Sequence, residues 1–361
     1  MSIVPTEEAC HLMPDSRRKV LVVGAGLCGL AIATTAARRG FDVLCVGDGR
    51  PGASLANFGQ LHSGAVLAPV LPDVAEACWQ YRNDWPDELL RPALVGEPHG
   101  YALFAETEAV HTYRTAWQHI GIDVEEISPD RSPARAAHPP AAAAFRIPDF
   151  SVNLDILHAR TRAFAHDCGV SLLSQRRTTL RRNQETTLVT VPDLSDSPAL
   201  VVLAAGADTP DLLARAGIAH TLRQRRIAWS RHAGARPDAL TYWLDGDLLA
   251  ISPDHADARV GLPSVNGEYG TDEIEYARIR AALVRRGLHR SDADLSLQWG
   301  TVCEPVTTRA APTSFVADLR DPPAGWSRAP NLVVAVPGKW TTAWHCAERV
   351  VNALEQERQL S

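Results

Sequence analysis

The segment 19–48 constrains the fold more than any other part of the chain. A short apolar run leads into Gly24, Gly26 and Gly29, and helix formers and a second apolar run follow. In this strand–turn–helix–strand order, G-x-G-x-x-G predicts a dinucleotide-binding unit. Gly24 permits a tight turn, Gly26 lets the backbone approach a pyrophosphate, and Gly29 lets the helix pack closely on the strand. The pyrophosphate would lie at the helix N-terminus, where free N–H groups favour an anion.

The expected ribose contact is displaced in this unit. An acidic residue commonly ends the second strand and hydrogen-bonds the adenosine ribose. By spacing, that place falls on Gly47, and Asp48 follows one residue later. We expect Asp48 to serve from a shifted backbone. Otherwise water or the main chain makes the contact, and the affinity for the dinucleotide is lower.

Length, charge and cysteine usage narrow the class of protein. The 361 residues can form one large domain or two interleaved ones, and the net charge of -6 argues against a nucleic-acid partner. No apolar run is long enough to span a bilayer, and residues 1–18 lack the apolar core of a signal peptide, so we expect a flexible N-terminal arm. The seven scattered cysteines predict neither a disulfide framework nor a metal site, and they indicate the reducing cytoplasm.

Two later segments resemble the first unit in pattern. Residues 199–210 (ALVVLAAGADTP) and 331–342 (NLVVAVPGKWTT) each form a buried-strand pattern that runs into a glycine turn and a helix. Between them, residues 223–267 contain short strand candidates separated by Gly, Asp and Pro. This spacing predicts antiparallel hairpins, and hence a sheet distinct from the parallel one.

Together, the three units resemble the FAD-dependent oxidoreductases of the D-amino-acid oxidase superfamily, which includes glycine oxidase, sarcosine oxidase and flavin-dependent glycerol-3-phosphate dehydrogenase. The resemblance implies an α/β fold, α+β overall. A Rossmann-like FAD-binding domain with a parallel sheet would carry an inserted antiparallel β-sheet substrate domain. The implied boundaries are 19–95, 145–222 and 297–361 for the FAD-binding domain, and 96–144 and 223–296 for the substrate-binding domain.

The same resemblance implies a non-covalent FAD. The stretch GASLANFGQLHSG, residues 52–64, is similar to the family segment that runs under the flavin ring. The residues implied to hold the cofactor come from all three units, this stretch and the end of the second strand: Gly24, Ala25, Gly26, Leu27, Cys28, Gly29, Asp48, Ser54, Gln60, Leu61, His62, Ala205, Gly206, Gly338, Lys339, Trp340 and Thr341.

Two of these residues are candidates for the chemistry. Lys339, one of only two lysines, is expected to place a positive charge beside the pyrimidine end of the flavin, unless it is a solvated surface lysine. His62 would contact the ring, act as a base or carry a covalent flavin link. The alternative is a structural, hydrogen-bonding histidine. Cys303 lies near the flavin-linking position of sarcosine oxidases but is offset, which favours the non-covalent cofactor.

The substrate anchor departs from the family pattern. In the amino-acid oxidases, this segment reads W-x-G-x-R-P, and its arginine clamps the substrate carboxylate. Here WGTVCEPVTT, from Trp299, places Glu304 at that position. Either another arginine anchors the substrate, or Glu304 pairs with a substrate ammonium, or Glu304 is paired within the structure. The candidate arginines are Arg309, Arg320 and Arg226.

Aromatic side chains on the antiparallel strands are the remaining substrate-site candidates. Tyr242, Trp243 and Trp229 would line the pocket and exclude water, or else belong to the core.

The implied activity is oxidation of an amino acid or secondary amine. Hydride would pass from the carbon next to nitrogen to the flavin, water would hydrolyse the imine, and O2 would become hydrogen peroxide, in a specialised biosynthetic pathway. Two alternatives stay open. One is an FAD-dependent 2-hydroxy-acid or glycerol-3-phosphate-type dehydrogenase, which the GKWTT ending resembles. The other is a non-catalytic flavoprotein subunit. The expected partners are the small substrate and O2, and a homo-oligomer is compatible with the sequence.

Overall fold

The computed structural model describes residues 18–50, 52–133, 140–174, 178–182, 187–190, 200–233, 237–246, 248–254, 257–262, 270–288, 295–306 and 313–360. Arg309 lies outside these ranges. No helix within them has the length and apolar character needed to cross a bilayer.

The strands, in chain order, are β1 (Lys19–Val23), β2 (Asp42–Val46), β3 (Gln60–Leu61), β4 (Leu94–Val95), β5 (Gly100–Phe104), β6 (Glu125–Ile127), β7 (Ala143–Ile147), β8 (Phe150–Val152), β9 (Ser171–Leu173), β10 (Thr179–Arg182), β11 (Thr187–Thr190), β12 (Leu200–Leu203), β13 (Leu222–His232), β14 (Leu240–Trp243), β15 (Leu249–Asp254), β16 (Asp257–Gly261), β17 (Leu295–Pro305), β18 (Phe315–Asp318) and β19 (Leu332–Val336). The α-helices are α1 (Leu27–Arg38), α2 (Pro72–Tyr81), α3 (Asp87–Leu90), α4 (Glu108–Ile120), α5 (Leu154–Asp167), α6 (Thr209–Arg215), α7 (Asp272–Arg285) and α8 (Ala343–Leu360).

A six-stranded sheet forms the nucleotide-binding half. Its order is β18-β19-β12-β1-β2-β9, and all pairs are parallel except the edge pair β18–β19. The apolar runs of β1, β12 and β19 are buried on both faces, as a parallel sheet requires. Helices α1 and α8 share a hydrophobic core with one face of this sheet. The expected parallel sheet is therefore confirmed, and it is assembled from all three glycine-turn units.

An eight-stranded sheet forms the other half. Its order is β17-β13-β16-β15-β14-β5-β7-β6, with every pair antiparallel except β5–β14. The longest ladder joins β13 to β17 over 11 residues each. This sheet includes β7, although residues 145–147 are expected from the sequence in the FAD-binding domain. It also includes β17 up to residue 305, whereas the sequence predicts that the substrate-binding domain ends at residue 296.

Alternation along β14 separates two side chains that were expected to lie together. Tyr242 faces the nucleotide-binding half, where its hydroxyl donates to Asp149. Trp243 faces the other side of the sheet and packs in the core with α7, with Arg286 4.3 Å above its ring. Adjacent strand residues point to opposite faces. The expectation that Trp243 lines the substrate pocket is therefore corrected: its side chain is a core residue.

Replacing Trp243 is expected to affect stability. Trp243→Ala should lower the free energy of unfolding by about 3–5 kcal/mol, because a fully buried indole is lost. Trp243→Phe should cost less, since it retains a ring for Arg286 and removes a buried indole N–H that has no partner among the described residues. Denaturant unfolding measures both, and equal losses for the two variants would contradict this packing role.

Candidate active site

The glycine turn lies at the carboxyl edge of the parallel sheet. Gly24 has φ +118, and a Cβ there would lie 2.3 Å from the carbonyl oxygen of Ala204, at the end of β12. A Cβ at Gly29 would lie 1.8 Å from the carbonyl oxygen of Gly24. The turn is therefore closed by backbone on both sides, and only glycine fits at these two positions.

The N-terminus of α1 presents backbone rather than side chains. Gly26 is the N-cap and supplies no side-chain cap. The N–H of Leu27 donates to Oγ of Ser54 at 3.0 Å, which ties the 52–64 loop to the helix start. The side chains of Leu27 and Cys28 are buried in the core, so these residues could approach a pyrophosphate only through the main chain, where the N–H of Leu27 already donates to Ser54.

The end of β2 shows how the displaced acid is placed. A Cβ at Gly47 would lie 2.8 Å from the Cβ of Ala25, so a larger residue there would press against the glycine turn. The carboxylate of Asp48 accepts from the backbone and the guanidinium of Arg50. Arg50 also reaches Asp208 at 2.9 Å, so it links the ends of the first and second units. A ribose contact by Asp48 would have to share this carboxylate with Arg50.

The 52–64 loop places a buried, unsatisfied amide near the antiparallel sheet. Gln60 pairs with Ser151, whose hydroxyl lies 2.6 Å from that of Ser252 on β15. Nε2 of Gln60 is buried without a hydrogen-bond partner among the described residues. Leu61, the next residue, points the other way into the core. A buried donor calls for an acceptor, and the carbonyl-rich flavin ring system would provide one. The glycine cradle and this amide thus fit an FAD.

The second and third units end in turns on the same sheet edge. Gly206, after β12 and Ala205, has φ +56, and Gly338, after β19, has φ +73. Lys339 is the N-cap of a short 3₁₀ turn over residues 340–342 that leads into α8. The ring of Trp340 is buried against Trp85, and its indole N–H has no hydrogen-bond partner among the described residues.

Thr341 joins the third unit to the 52–64 loop. Its buried hydroxyl accepts the backbone N–H of His62 at 3.1 Å. Nε1 of Trp85 donates to the carbonyl oxygen of Thr341 at 3.0 Å from the other side. Two segments nearly 280 residues apart in sequence are thereby fixed side by side, with Lys339 and His62 at their junction.

Lys339 lies in an environment that disfavours its protonated form. Burial lowers the pKa of Lys339 below its ordinary value, and the nearby guanidinium of Arg225 also lowers it, while Cys78 and Glu304 act in the opposite direction. Lys339 remains partly exposed. A partly desolvated ammonium interacts more strongly with an anion than a surface lysine does.

His62 lies beside a buried carboxylate that the sequence did not single out. Nδ1 of His62 is 3.4 Å from Oδ2 of Asp149, an electrostatic contact rather than a well-aligned hydrogen bond. The fully buried Asp149 also accepts from Tyr242 at 2.9 Å, from the backbone N–H of Ser63 at 2.6 Å and from its hydroxyl. Burial alone raises the pKa of Asp149, but His62 and Ser63 outweigh it and hold this pKa below its usual value.

This arrangement keeps Tyr242 neutral and favours one tautomer of His62. Burial, followed by the charge of Asp149, raises the pKa of Tyr242 well above its usual value, so Tyr242 stays a neutral donor. A carboxylate beside Nδ1 favours the tautomer with hydrogen on Nδ1 and leaves Nε2 of His62 as the proton acceptor. The group formed by His62, Asp149 and Tyr242 can therefore act as a supported base.

Glu304 is paired within the structure. Its Oε1 lies 2.7 Å from Nη2 of Arg223, and its Oε2 lies 3.2 Å from Nε of Arg225. This outcome is the structural pairing that the sequence left open, and Glu304 is thereby committed to arginines. Arg320 is held by Asp318 and by the carbonyl oxygen of Ala353 on α8.

Cys303 does not face the same side as Glu304. Its side chain packs in the core beneath β12 and β19, and burial raises the pKa of its thiol to about 12. A neutral, buried thiol is poorly suited to form a flavin link.

Comparisons with known proteins agree with this geometry. The sequence model of the family described as DAO, FAD dependent oxidoreductase, matches residues 19–353. No match was found among curated protein sequences. Glycine oxidase from Geobacillus kaustophilus is similar in structure, with TM-score 0.73 and 17% identity over 94% of this chain and 95% of the other.

Two further solved structures are similar over comparable lengths. Iminodiacetate oxidase from Chelativorans sp. BNC1 has TM-score 0.72 and 17% identity, covering 93% of this chain and 95% of its own. L-alpha-glycerophosphate oxidase from Mycoplasma pneumoniae, solved with FAD bound, has TM-score 0.69 and 15% identity with the same coverage. At these identities the structures establish the fold, and the family match establishes the cofactor.

Proposed function

Because the chain belongs to the DAO family of FAD-dependent oxidoreductases, we propose that it oxidises an amino acid or a secondary amine at the carbon next to nitrogen. FAD, when bound, supplies the hydride acceptor and passes the electrons to O2, which gives hydrogen peroxide. The names of two similar structures, glycine oxidase and iminodiacetate oxidase, support an amine substrate.

The observation that carries the proposal is the position of His62. Its backbone is fixed by Thr341 of the third unit, and its ring lies beside the buried Asp149. An amine must be unprotonated before the adjacent C–H bond can release a hydride, so a base beside the substrate nitrogen would promote the reaction. Nε2 of His62 would accept this proton, while Lys339 would place its positive charge beside the pyrimidine end of the flavin.

The residues that would hold the cofactor follow from the same geometry. The glycine turn at Gly24–Gly29 and the start of α1 would hold the pyrophosphate. The amide of Gln60 and the turn at Lys339–Thr341 would contact the ring system. These groups fix orientation and exclude water from the reacting carbon.

The supported base also favours a second candidate. Oxidation of a hydroxyl-bearing carbon requires removal of an O–H proton as the hydride leaves, and this demand on a base is greater than for an amine. A 2-hydroxy acid or a polyol phosphate would therefore suit the group of His62 and Asp149. The similarity to a glycerophosphate oxidase points the same way.

Anaerobic bleaching of the flavin separates the candidates. The purified protein would be mixed with amino acids and secondary amines in one panel, and with hydroxy acids and glycerol 3-phosphate in another. We expect bleaching by a member of the first panel, with peroxide and a carbonyl product in air. Bleaching by the second panel alone would establish the second candidate. A flavin that no compound bleaches would support a non-catalytic flavoprotein.

The attachment of the flavin is tested by acid precipitation of the purified protein. We expect FAD in the supernatant, because Cys303 is buried on the side of β17 away from Glu304. Yellow colour retained in the pellet would contradict non-covalent binding and would make His62 the first residue to replace.

A further inference from the structure

β17 carries Glu304 where the amino-acid oxidases carry an arginine, and the neighbouring strand β13 supplies two arginines beside that position. Arg223 pairs with Glu304, and Arg225 pairs with Val302. Paired residues and residues two apart share one face of a sheet, so the two arginines and Glu304 all lie on the same face. Trp229 lies farther along this face, and its indole N–H donates to the carbonyl oxygen of Ala56 in the 52–64 loop. This face therefore looks onto the proposed flavin loop.

Arg225 is the arginine of the pair that lies nearer the site. Its side chain is 24% exposed, compared with 57% for Arg223. Arg225 is also close enough to Lys339 to lower the pKa of that lysine. Nε of Arg225 holds Glu304, and no described residue bonds its two terminal nitrogens. An arginine fixed at Nε keeps its outer edge available for the two oxygens of a carboxylate.

The other candidate arginines within the described ranges are engaged elsewhere. Arg226 lies on the opposite face of β13, 3.8 Å above the ring of Trp299. Arg320 is held by Asp318 and α8. Neither is on the face that looks onto the 52–64 loop.

We propose that Arg225 binds the carboxylate of the substrate and that Glu304 is the positioning residue that holds its guanidinium. The inference rests on the proposed function, because it assigns the anionic end of the molecule whose C–H bond is oxidised. The acid on β17 thus does not reject a carboxylate substrate. It orients the arginine of β13 that receives one.

The test is a titration of the purified FAD-bound protein with benzoate, followed by the visible absorption of the flavin. Benzamide is the neutral counterpart. Arg225→Gln should raise the Kd for benzoate about 10- to 100-fold, because hydrogen bonds to a charged group are lost, and should leave the Kd for benzamide within about twofold. Glu304→Gln should raise the benzoate Kd about tenfold, and Glu304→Asp should recover part of this loss.

Arg231→Gln is the matched control. Arg231 lies on the same face of β13, pairs with Asp257 at 2.7 Å, and is about 20 Å along the strand from Arg225. The Arg231→Gln substitution removes the same charge as Arg225→Gln, but the Kd for benzoate should stay within about twofold of the wild type. If Arg225→Gln loses its flavin, Arg225→Lys is titrated instead, and a wild-type Kd there would overturn the inference.

Three results would overturn the inference directly. These are unchanged benzoate binding in Arg225→Gln, an equal loss in Arg231→Gln, and no detectable benzoate binding by the wild type. Because the titration involves no turnover, it is separate from the test of the proposed function. A protein that binds benzoate through Arg225 but is bleached by no amine would contradict the proposed function alone.

Discussion

Gly29→Val is expected to yield a protein without flavin. The Cβ of any residue at this position would lie 1.8 Å from the carbonyl oxygen of Gly24, so the helix and the turn must move apart. The displaced atoms are backbone, which cannot rotate away as a side chain can. Overpacking commonly costs about 1–3 kcal/mol, and here the movement also displaces the N–H groups that would bind the pyrophosphate. We expect the affinity for FAD to fall at least about 100-fold.

The measurement is the ratio of flavin to protein absorbance after purification and after incubation with added FAD. Gly40→Asn is the matched control, because Gly40 follows the other end of α1 and a Cβ there would meet no atom within 4 Å beyond its chain neighbours. Its positive φ of +86 is tolerated by asparagine better than by other residues. A Gly29→Val protein that is as yellow as Gly40→Asn would contradict the placement of the pyrophosphate at this turn.

Asp149→Asn is expected to slow flavin reduction about 100- to 10,000-fold, the usual contribution of a general base. The amide cannot stabilise a protonated His62 and does not favour the tautomer that leaves Nε2 free. The rate would be measured anaerobically with whichever compound bleaches the wild-type flavin fastest. Tyr242→Phe, which removes one donor to Asp149 and retains the carboxylate, should slow the reaction far less. A wild-type rate in Asp149→Asn would remove His62 from the role of base.

The same substitution has a pH signature in stability. The pKa of Asp149 in the folded protein lies below its usual value, so the ionised side chain stabilises the fold above about pH 4. This contribution is lost as the pH falls through the lowered folded-state pKa. The difference in unfolding free energy between the wild type and Asp149→Asn should therefore be constant near neutral pH and shrink below about pH 4. A difference that persists in acid would point to packing instead.

The nucleotide-binding half could be predicted from the sequence because its signals are local. Gly24, Gly26 and Gly29 are close together in the chain, and the apolar runs around them are long enough to identify strands. The two later units follow the same pattern, and their strands join β1 in one parallel sheet, in the order β19-β12-β1. The pattern of short strands in the middle of the chain likewise predicted the antiparallel sheet.

The base and the anion site could not be predicted, because their contacts join distant segments. Asp149 follows a proline between two short strands, without periodicity around it, and its partners are 86 and 93 residues away. Arg225 is one of several arginines in succession, and only the register with β17 shows which one faces Glu304's side of the sheet. The separation of Tyr242 and Trp243, in contrast, follows from strand alternation alone and was available in the sequence.

The order of strands in the parallel sheet has a consequence for biosynthesis. β1 lies at the centre of this sheet, but its partner β12 is about 180 residues later in the chain. Since ribosomes add about 5–20 residues per second, β1 has one edge unpaired for roughly 10–40 s during synthesis. β19 and the turn at 337–342 emerge later still. An apolar strand with an open edge is prone to pair with other chains. The open edge of β1 is therefore exposed to wrong pairing during synthesis, and the turns that would hold the flavin are complete only after residue 342 has emerged.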